Sequence, residues 1–255
     1  MRSTAPSLLY FLLTFSFIAA ASDDTKTQMF DAHGIQLSYR VEGRGDPVVL
    51  IHGLHSSVSL NWKLPGILDM LAKKYQVIAL DLPGHGASNR PENKNAYGMA
   101  MVEDVNILMD HLKIKKAHIV GYSMGGMVAM KFIATHPTRV LSGTIGGMGW
   151  LPDHGILQRV WELIPKQEGS LTPTECVRSF GQLALSEKEL KAIAVPVMIL
   201  IGDLDPCKKL YVAPLQKVRE DWPVIEIQYA GHLNCVFKPQ FKDEIRKWFD
   251  KYEKK

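Results

Sequence analysis

The stretch Ile119-Val120-Gly121-Tyr122-Ser123-Met124-Gly125-Gly126 runs from an apolar strand into a helical run that begins near Met127. Its G-x-S-x-G pattern is too short to decide anything alone. Its setting is more informative: a strand, a sharp turn, then a helix whose N-terminus stabilises negative charge. Gly121 and Gly125 lack Cβ atoms, so a strained turn can lift the Ser123 side chain above the sheet edge without collision. The bland alternative is a serine in an ordinary strand-to-helix turn.

Working outward, residues 48–51, 76–80, 117–120 and 195–201 are continuous aliphatic and β-branched runs, as strands buried on both faces should be. Residues 36–42 alternate, with Leu37, Tyr39 and Val41 set against Gln36, Ser38 and Arg40, which predicts a half-buried strand. Gly43-Arg44-Gly45-Asp46-Pro47 turns it into the next. Between the apolar runs lie segments with helical spacing, such as Ile67, Leu68, Leu71 and Ala72, or Met101, Val105, Leu108, Met109 and Leu112, each with room for about three turns. Strand and helix alternate, which predicts an α/β fold with a mostly parallel central sheet and helices on both faces. Residues 149–190 break the rhythm, between a strand near 140–145 and the one at 195. Here Ile156, Leu157, Val160, Trp161 and Ile164 make one helical stripe, and Pro173 suits the opening of a second helix. We read this interval as a short helical cap over the site; a helical pair that only completes the core is the alternative.

A serine hydroxyl needs a base to take its proton and a third group to hold that base in the right tautomer. The run at 195–201 ends in Gly202-Asp203-Leu204-Asp205-Pro206, and a strand-like stretch at 224–229 ends in Ala230-Gly231-His232. In an open α/β sheet the carboxyl ends of parallel strands share one rim, so these loops can converge on Ser123. The order Ser, Asp, His also suits the strand-turn-helix setting of the serine. Asp203 and Asp205 both qualify as the orienting acid, whereas only one of nine histidines, His232, follows them.

From about residue 29 to 248 the chain resembles the α/β-hydrolase family, in particular its serine esterase and lipase-like members with a small helical lid. His52-Gly53-Leu54 resembles the family's oxyanion loop, Asp81-Leu82-Pro83-Gly84-His85-Gly86-Ala87-Ser88 its loop after the next strand, and Gly202-x-x-Asp205 its acid motif. The resemblance implies Ser123, Asp205 and His232 as the catalytic residues, with the backbone N–H groups of Leu54 and Met124 as the oxyanion hole. It favours Asp205 over Asp203, which becomes a solvated turn residue, and makes His52 a structural member of the oxyanion loop. His55, Trp150, Leu151, Ile156 and Trp161 are candidate substrate-pocket residues, and His85 suits a turn network. His33, His111, His118, His136 and His154 have no special context. The expected reaction is hydrolysis of a carboxylic ester, or a related acyl bond, through an acyl-enzyme on Ser123. C–C bond hydrolases, perhydrolases and acyltransferases of the same fold keep these three residues, and a slow-turnover ligand-binding member is a further alternative. Serine at the elbow, where relatives that open epoxides or remove halides carry aspartate, argues against those two chemistries.

With 255 residues, 46% hydrophobic and 22% charged, the chain suits one large globular domain. Its charge of +4 is interspersed, without the basic stripe a nucleic-acid groove needs, and the lysines of residues 251–255 read as a solvated helix tail. No histidine pair combines zinc-ligand spacing with carboxylate support, so no metal is expected; no cofactor is expected either, and the expected partner is a small ester-like molecule. Oligomeric state is not legible. Arg2, an uncharged run over residues 3–22, an apolar stretch over 8–18 and Ala19-Ala20-Ala21 have the pattern of a signal peptide. This predicts a leader at 1–21, a hydrolase domain at 22–255 with its cap at 149–190, a periplasmic or extracellular location, and no stable membrane span after cleavage. An N-terminal membrane anchor is the alternative. Export favours disulfides, and Cys207 and Cys235 lie in loops expected to be neighbours, so a bridge between them is hypothesised. The alternative is two small apolar side chains, with Cys176 left over in either case.

Overall fold

Eight strands form one sheet in the computed structural model, which describes residues 26–166, 169–170 and 172–252. In chain order they are β1 (Gln28–Ala32), β2 (Ile35–Glu42), β3 (Pro47–Ile51), β4 (Gln76–Leu80), β5 (Ala117–Tyr122), β6 (Val140–Gly146), β7 (Val197–Gly202) and β8 (Val224–Ile227). They lie side by side in the order β1-β2-β4-β3-β5-β6-β7-β8. The first two strands pair antiparallel with their neighbours and all the rest pair parallel. The helices are α1 (Ile67–Leu71), α2 (Met99–His111), α3 (Met124–Thr135), α4 (Ile156–Glu162), α5 (Thr174–Arg178), α6 (Glu187–Ala192), α7 (Ala213–Val218) and α8 (Pro239–Tyr252). None among the described residues is long and apolar enough to cross a membrane, and the expected leader at 1–21 lies outside them.

The continuous apolar runs explain the layering. Side chains alternate along a strand, so an unbroken run buries both faces at once. Val49, Ile51, Ile78, Ile119 and Ile199 face one core, which α2 and α3 cover with Val105, Leu108, Val128 and Phe132. Val48, Leu50, Val77, Val120 and Leu200 face the other, closed by Ile67 and Leu68 of α1 and by Phe241, Ile245 and Phe249 of α8.

Three local expectations need correction. A strand precedes the alternating one: β1 folds back on β2 through His33 and Gly34, both at positive φ (55° and 83°), with the Gly34 N–H held by Asp31 Oδ1 at 2.9 Å. Such two-residue turns usually carry Asn or Asp where His33 stands, so the signal was weak. The apolar pattern at 67–72 makes only a five-residue helix, because Gly66, at φ 74°, separates it from a wider helical turn at Ser59–Lys63. Among its described residues the interval 149–190 holds three short α-helices instead of two, the last running on to Ala192, with Pro173 just before α5. The third, α6, opens on a capping box in which Ser186 Oγ accepts from Glu189 N–H at 3.2 Å and Glu189 Oε2 accepts from Ser186 N–H at 2.8 Å.

Candidate active site

Ser123 sits between β5 and α3 at φ 54°, a left-handed conformation that costs a residue with a side chain about 1–3 kcal/mol. The neighbouring glycines make room for it. A Cβ on Gly121 would stand 2.0 Å from the Gly125 carbonyl oxygen, and one on Gly125 would stand 2.1 Å from that of Ile51. The turn is pinned by Ser123 N–H donating to Gly146 O at 2.8 Å and by Met127 N–H donating to Ser123 O at 3.1 Å. Backbone facing backbone leaves no flexible atom to yield. Gly121→Ala is therefore expected to destabilise the fold by about 3 kcal/mol or more, a fall in Tm of roughly 6–12 °C for a domain of this size. Differential scanning calorimetry checks this; an unchanged Tm would mean the turn is looser than its contacts imply.

The loops after β7 and β8 are laced together. Asp203 N–H donates to Ile227 O (3.1 Å), Leu204 N–H to Ala230 O (3.0 Å), and Asp203 Oδ1 accepts from Ala230 N–H (2.9 Å). These amides hold the Asp203 carboxyl below the usual carboxylate range. Asp203 is thus a brace between the two loops, not the solvated turn residue expected from the sequence. The lacing brings the predicted side chains together: Asp205 Oδ2 lies 2.8 Å from His232 Nδ1, and His232 Nε2 lies 2.8 Å from Ser123 Oγ. Asp205 is fully buried, and its other oxygen accepts from Cys207 N–H at 2.8 Å. A carboxylate only accepts, so His232 carries its proton on Nδ1 and turns a bare Nε2 to the serine hydroxyl. The His232 carbonyl accepts from the Tyr122 hydroxyl, and the next loop turn is tied by Gly231 N–H to Asn234 Oδ1 at 2.8 Å. Neither Tyr122 nor Asn234 stood out in the sequence, since each acts only through backbone that the fold brings near.

The disulfide hypothesised between Cys207 and Cys235 is not formed, and all three cysteines are free thiols. Cys207 packs into the core on one face of the sheet and Cys235 into that on the other. Asp205 and His232 occupy the rim between them.

The expected oxyanion residues also border Ser123. Met124 is the first residue of α3, where a helix leaves its N–H without an intrahelical acceptor, and Leu54 lies on the same cavity wall. The Leu54 loop is set by Asn61 Oδ1, which accepts from Gly53 N–H at 3.0 Å. It is set also by His52, fully buried, which accepts from Leu82 N–H through Nε2 (3.1 Å) and so donates through Nδ1 to Gly53 O (2.7 Å). His52 thereby ties this loop to the one after β4. There Asp81 accepts from Val58 N–H (2.7 Å) and Ser38 Oγ (2.8 Å), while His85 reaches Pro83 O and Thr172 Oγ1.

Burial holds both His52 and His85 below the ordinary histidine range, His85 well below it. Both bind protons less readily in the fold than in the unfolded chain, which takes them up below about pH 6.5. Stability is then full above that pH and falls as pH drops beneath it, by up to about 1.4 kcal/mol per pH unit for each histidine. Urea midpoints between about pH 5 and pH 8 should show this slope, and His85→Gln should flatten it; an identical slope in the variant would assign it to other groups.

Ser123, Met124 and His232 open onto a cavity of about 580 Å³. Its walls include Met127, Met148, Leu157, Trp161, Phe180 and Leu210. Of the pocket residues expected from the sequence, Trp161 lines it, with its indole N–H on Tyr211 OH at 3.2 Å. The others do not. Trp150 is buried in the core with its indole N–H on Leu185 O, and Leu151 is buried beside it. Ile156 is 82% exposed, one helical step off the face that Leu157 turns inward, and His55 is engaged by Thr172 Oγ1 at 3.0 Å. An apolar stripe shows that a helix is buried on one side but not which residue meets the cavity.

Comparison with known proteins agrees with this fold. Residues 46–170 match the family model of the alpha/beta hydrolase fold. The chain is 42% identical over 116 residues to the dihydrolipoyllysine-residue acetyltransferase component of the acetoin cleaving system of Cupriavidus necator, covering 45% of this chain and 30% of that protein. It is 36% identical over 111 residues to the 2-hydroxymuconate semialdehyde hydrolase of a Pseudomonas species, covering 43% and 38%. The matched stretch thus spans well under half the length of either relative. Among solved structures, the enol-lactonase from Burkholderia xenovorans LB400 superposes with a TM-score of 0.71 at 21% identity, over 88% of this chain and 100% of that one.

Proposed function

Since the chain is an α/β-hydrolase-fold protein, we propose that it is a serine hydrolase that cleaves a neutral carboxylic ester through an acyl-enzyme on Ser123. The observation that carries this reading is the unbroken contact from Asp205 through His232 to Ser123 Oγ, at 2.8 Å on both sides of the imidazole. His232 Nε2 takes the Ser123 proton as Oγ attacks the ester carbonyl, and Asp205 steadies the resulting imidazolium. The N–H groups of Leu54 and Met124 meet the developing oxyanion. The imidazolium then protonates the departing alcohol, and water attacks the acyl-enzyme by the same route in reverse, releasing the acid and free Ser123.

The cavity supports an apolar, uncharged substrate. Among the described residues that line it there is no Lys, Arg, Asp or Glu, so a carboxylate or ammonium on the substrate would lose its hydration without gaining a partner. The segment between β6 and β7 supplies Leu157, Trp161, Ile164 and Phe180 to the walls, which is why we assign residues 149–190 as the cap. The N-terminal pattern supports export of the mature chain, 22–255, with an N-terminal anchor as the alternative. A second reading rests on the 42%-identical relative, which is named as an acetyltransferase component: the acyl group passes from Ser123 to an alcohol or thiol instead of water.

The test is a panel of p-nitrophenyl esters with graded neutral acyl chains, beside esters of matching size ending in a carboxylate, and 2-hydroxymuconate semialdehyde. Neutral esters should be favoured over carboxylate-tailed ones by at least about tenfold in kcat/KM, since an unpaired buried charge costs more than 1.4 kcal/mol. Preference for the charged esters, or turnover of the semialdehyde alone, would reject the neutral-ester reading. Product partition with added short alcohols separates hydrolysis from transfer.

A further inference from the structure

Asp205 holds more than His232. One of its oxygens faces His232 Nδ1 and the other takes the Cys207 N–H, each at 2.8 Å. The Cys207 thiol lies beside this carboxylate. A sulfur, a carboxylate oxygen and an imidazole nitrogen therefore lie within 4.8 Å of one another. Cys207 and His232 both belong to the cavity wall, so an ion entering the cavity meets them directly.

The geometry points to a second role for this cluster: Cys207, Asp205 and His232 form an inhibitory site for a thiophilic divalent cation, for which Zn²⁺ is the type case. The ion would silence the base by reversing the tautomer of its ring. The inhibitory half of this inference rests on the role proposed above for His232; the binding half does not.

The charges balance. The Cys207 S–H proton leaves to solvent, giving a thiolate beside the Asp205 carboxylate, and these two negative charges match one divalent cation. The ring proton of His232 moves from Nδ1 to Nε2, because Nδ1 gives its lone pair to the metal and the ligand imidazole stays neutral. Nε2–H then points at Ser123 Oγ as a donor and cannot accept the serine proton. Zinc sits about 2.3 Å from sulfur and about 2.0–2.2 Å from nitrogen or oxygen, so tetrahedral ligand atoms stand roughly 3.3–3.7 Å apart: the Asp205 and His232 atoms must open from 2.8 Å and the sulfur must stand within that range of both. Three protein ligands leave one position open.

Selectivity follows from the same surroundings. A thiolate and an imidazole are soft or borderline donors, so the set favours a thiophilic cation over a hard one that prefers oxygen alone. Cys176 touches Met124 Sδ at 3.9 Å and packs among apolar side chains, while Cys235 lies in the core on the opposite face.

The test uses the full mature chain with Co²⁺ as a spectroscopic substitute and Zn²⁺ as inhibitor. In Ser123→Ala, which needs no turnover, Co²⁺ should produce a thiolate charge-transfer band in the near ultraviolet at one equivalent, and Cys207→Ser should abolish it. In the otherwise unchanged chain Zn²⁺ should inhibit ester hydrolysis reversibly, and Mg²⁺ should not. Cys207→Ser, compared with its own metal-free rate, should need at least about 100-fold more Zn²⁺, since even loss of a partner outside the ligand shell costs about 10–100-fold. Cys235→Ser should keep both responses. Absence of the band in Ser123→Ala, or its persistence in Cys207→Ser, would overturn the site. A normal band with full activity would overturn the tautomer switch. Failure of the chain to cleave any ester would instead count against the hydrolase reading, with the cobalt result still decisive for the metal site.

Discussion

Ser123→Ala is expected to lower kcat by a factor on the order of 10⁶ while leaving KM within a few fold, because the substituted atom bonds to substrate only along the reaction path. The alanine keeps the left-handed backbone at this turn and the amide bond to Gly146 O, so the melting curve should match that of the parent chain. Residual turnover would come from the cavity and the Leu54 and Met124 amides acting on water, which elsewhere leaves a rate about 10³–10⁴ above the uncatalysed one. A fluorophosphonate probe gives the same answer without a known substrate: it should label the parent chain once, at Ser123, and leave the variant untouched. Equal labelling of both would mean that another residue is the nucleophile.

Asp205→Asn should cost about 10⁴-fold in kcat, through the tautomer of the histidine and not through its position. The carboxylate accepts on both sides, from Cys207 N–H and from His232 Nδ1–H. The Cys207 amide is fixed by the backbone and can only donate, so the asparagine must turn its carbonyl oxygen there and its NH₂ toward His232. Nδ1 then has to be bare, the ring proton sits on Nε2, and the base can no longer accept from Ser123. Asp203→Asn is the matched control. Its amide oxygen can still accept from Ala230 N–H, so activity should fall by less than about tenfold while the loops loosen. If the two variants lose activity alike, the orienting acid is wrongly assigned, and steady-state kinetics on one ester settles it.

The residues of the candidate site were legible because each sits where a strand ends, and strand ends are marked by composition. Apolar runs stop at Tyr122, Gly202 and Ile227, and Ser123, Asp205 and His232 follow within five residues. What supports them was not legible. Asp203 looked like solvent-facing punctuation because its partner, the Ala230 amide, is 27 residues away and belongs to a loop whose approach depends on the pairing of β7 with β8. Cys207 and Cys235 looked bridgeable because both flank the same two loops, and nothing in their spacing says that the sheet separates their side chains.

Periodicity along one chain segment is a local property, so the sequence by itself determined every strand but β1, the burial of the central ones on both faces, the strained turn at Ser123 and the candidates for acid and base. Which wall of an element meets which neighbour is a property of packing between segments. Only the tertiary structure therefore decided that Leu157 and Trp161 line the cavity while Ile156 faces solvent, that Trp150 serves the core, and that a thiol lies within 4.8 Å of the Asp205 carboxylate and the His232 ring. Rotating a short helix by one residue preserves its apolar pattern and changes every one of those contacts.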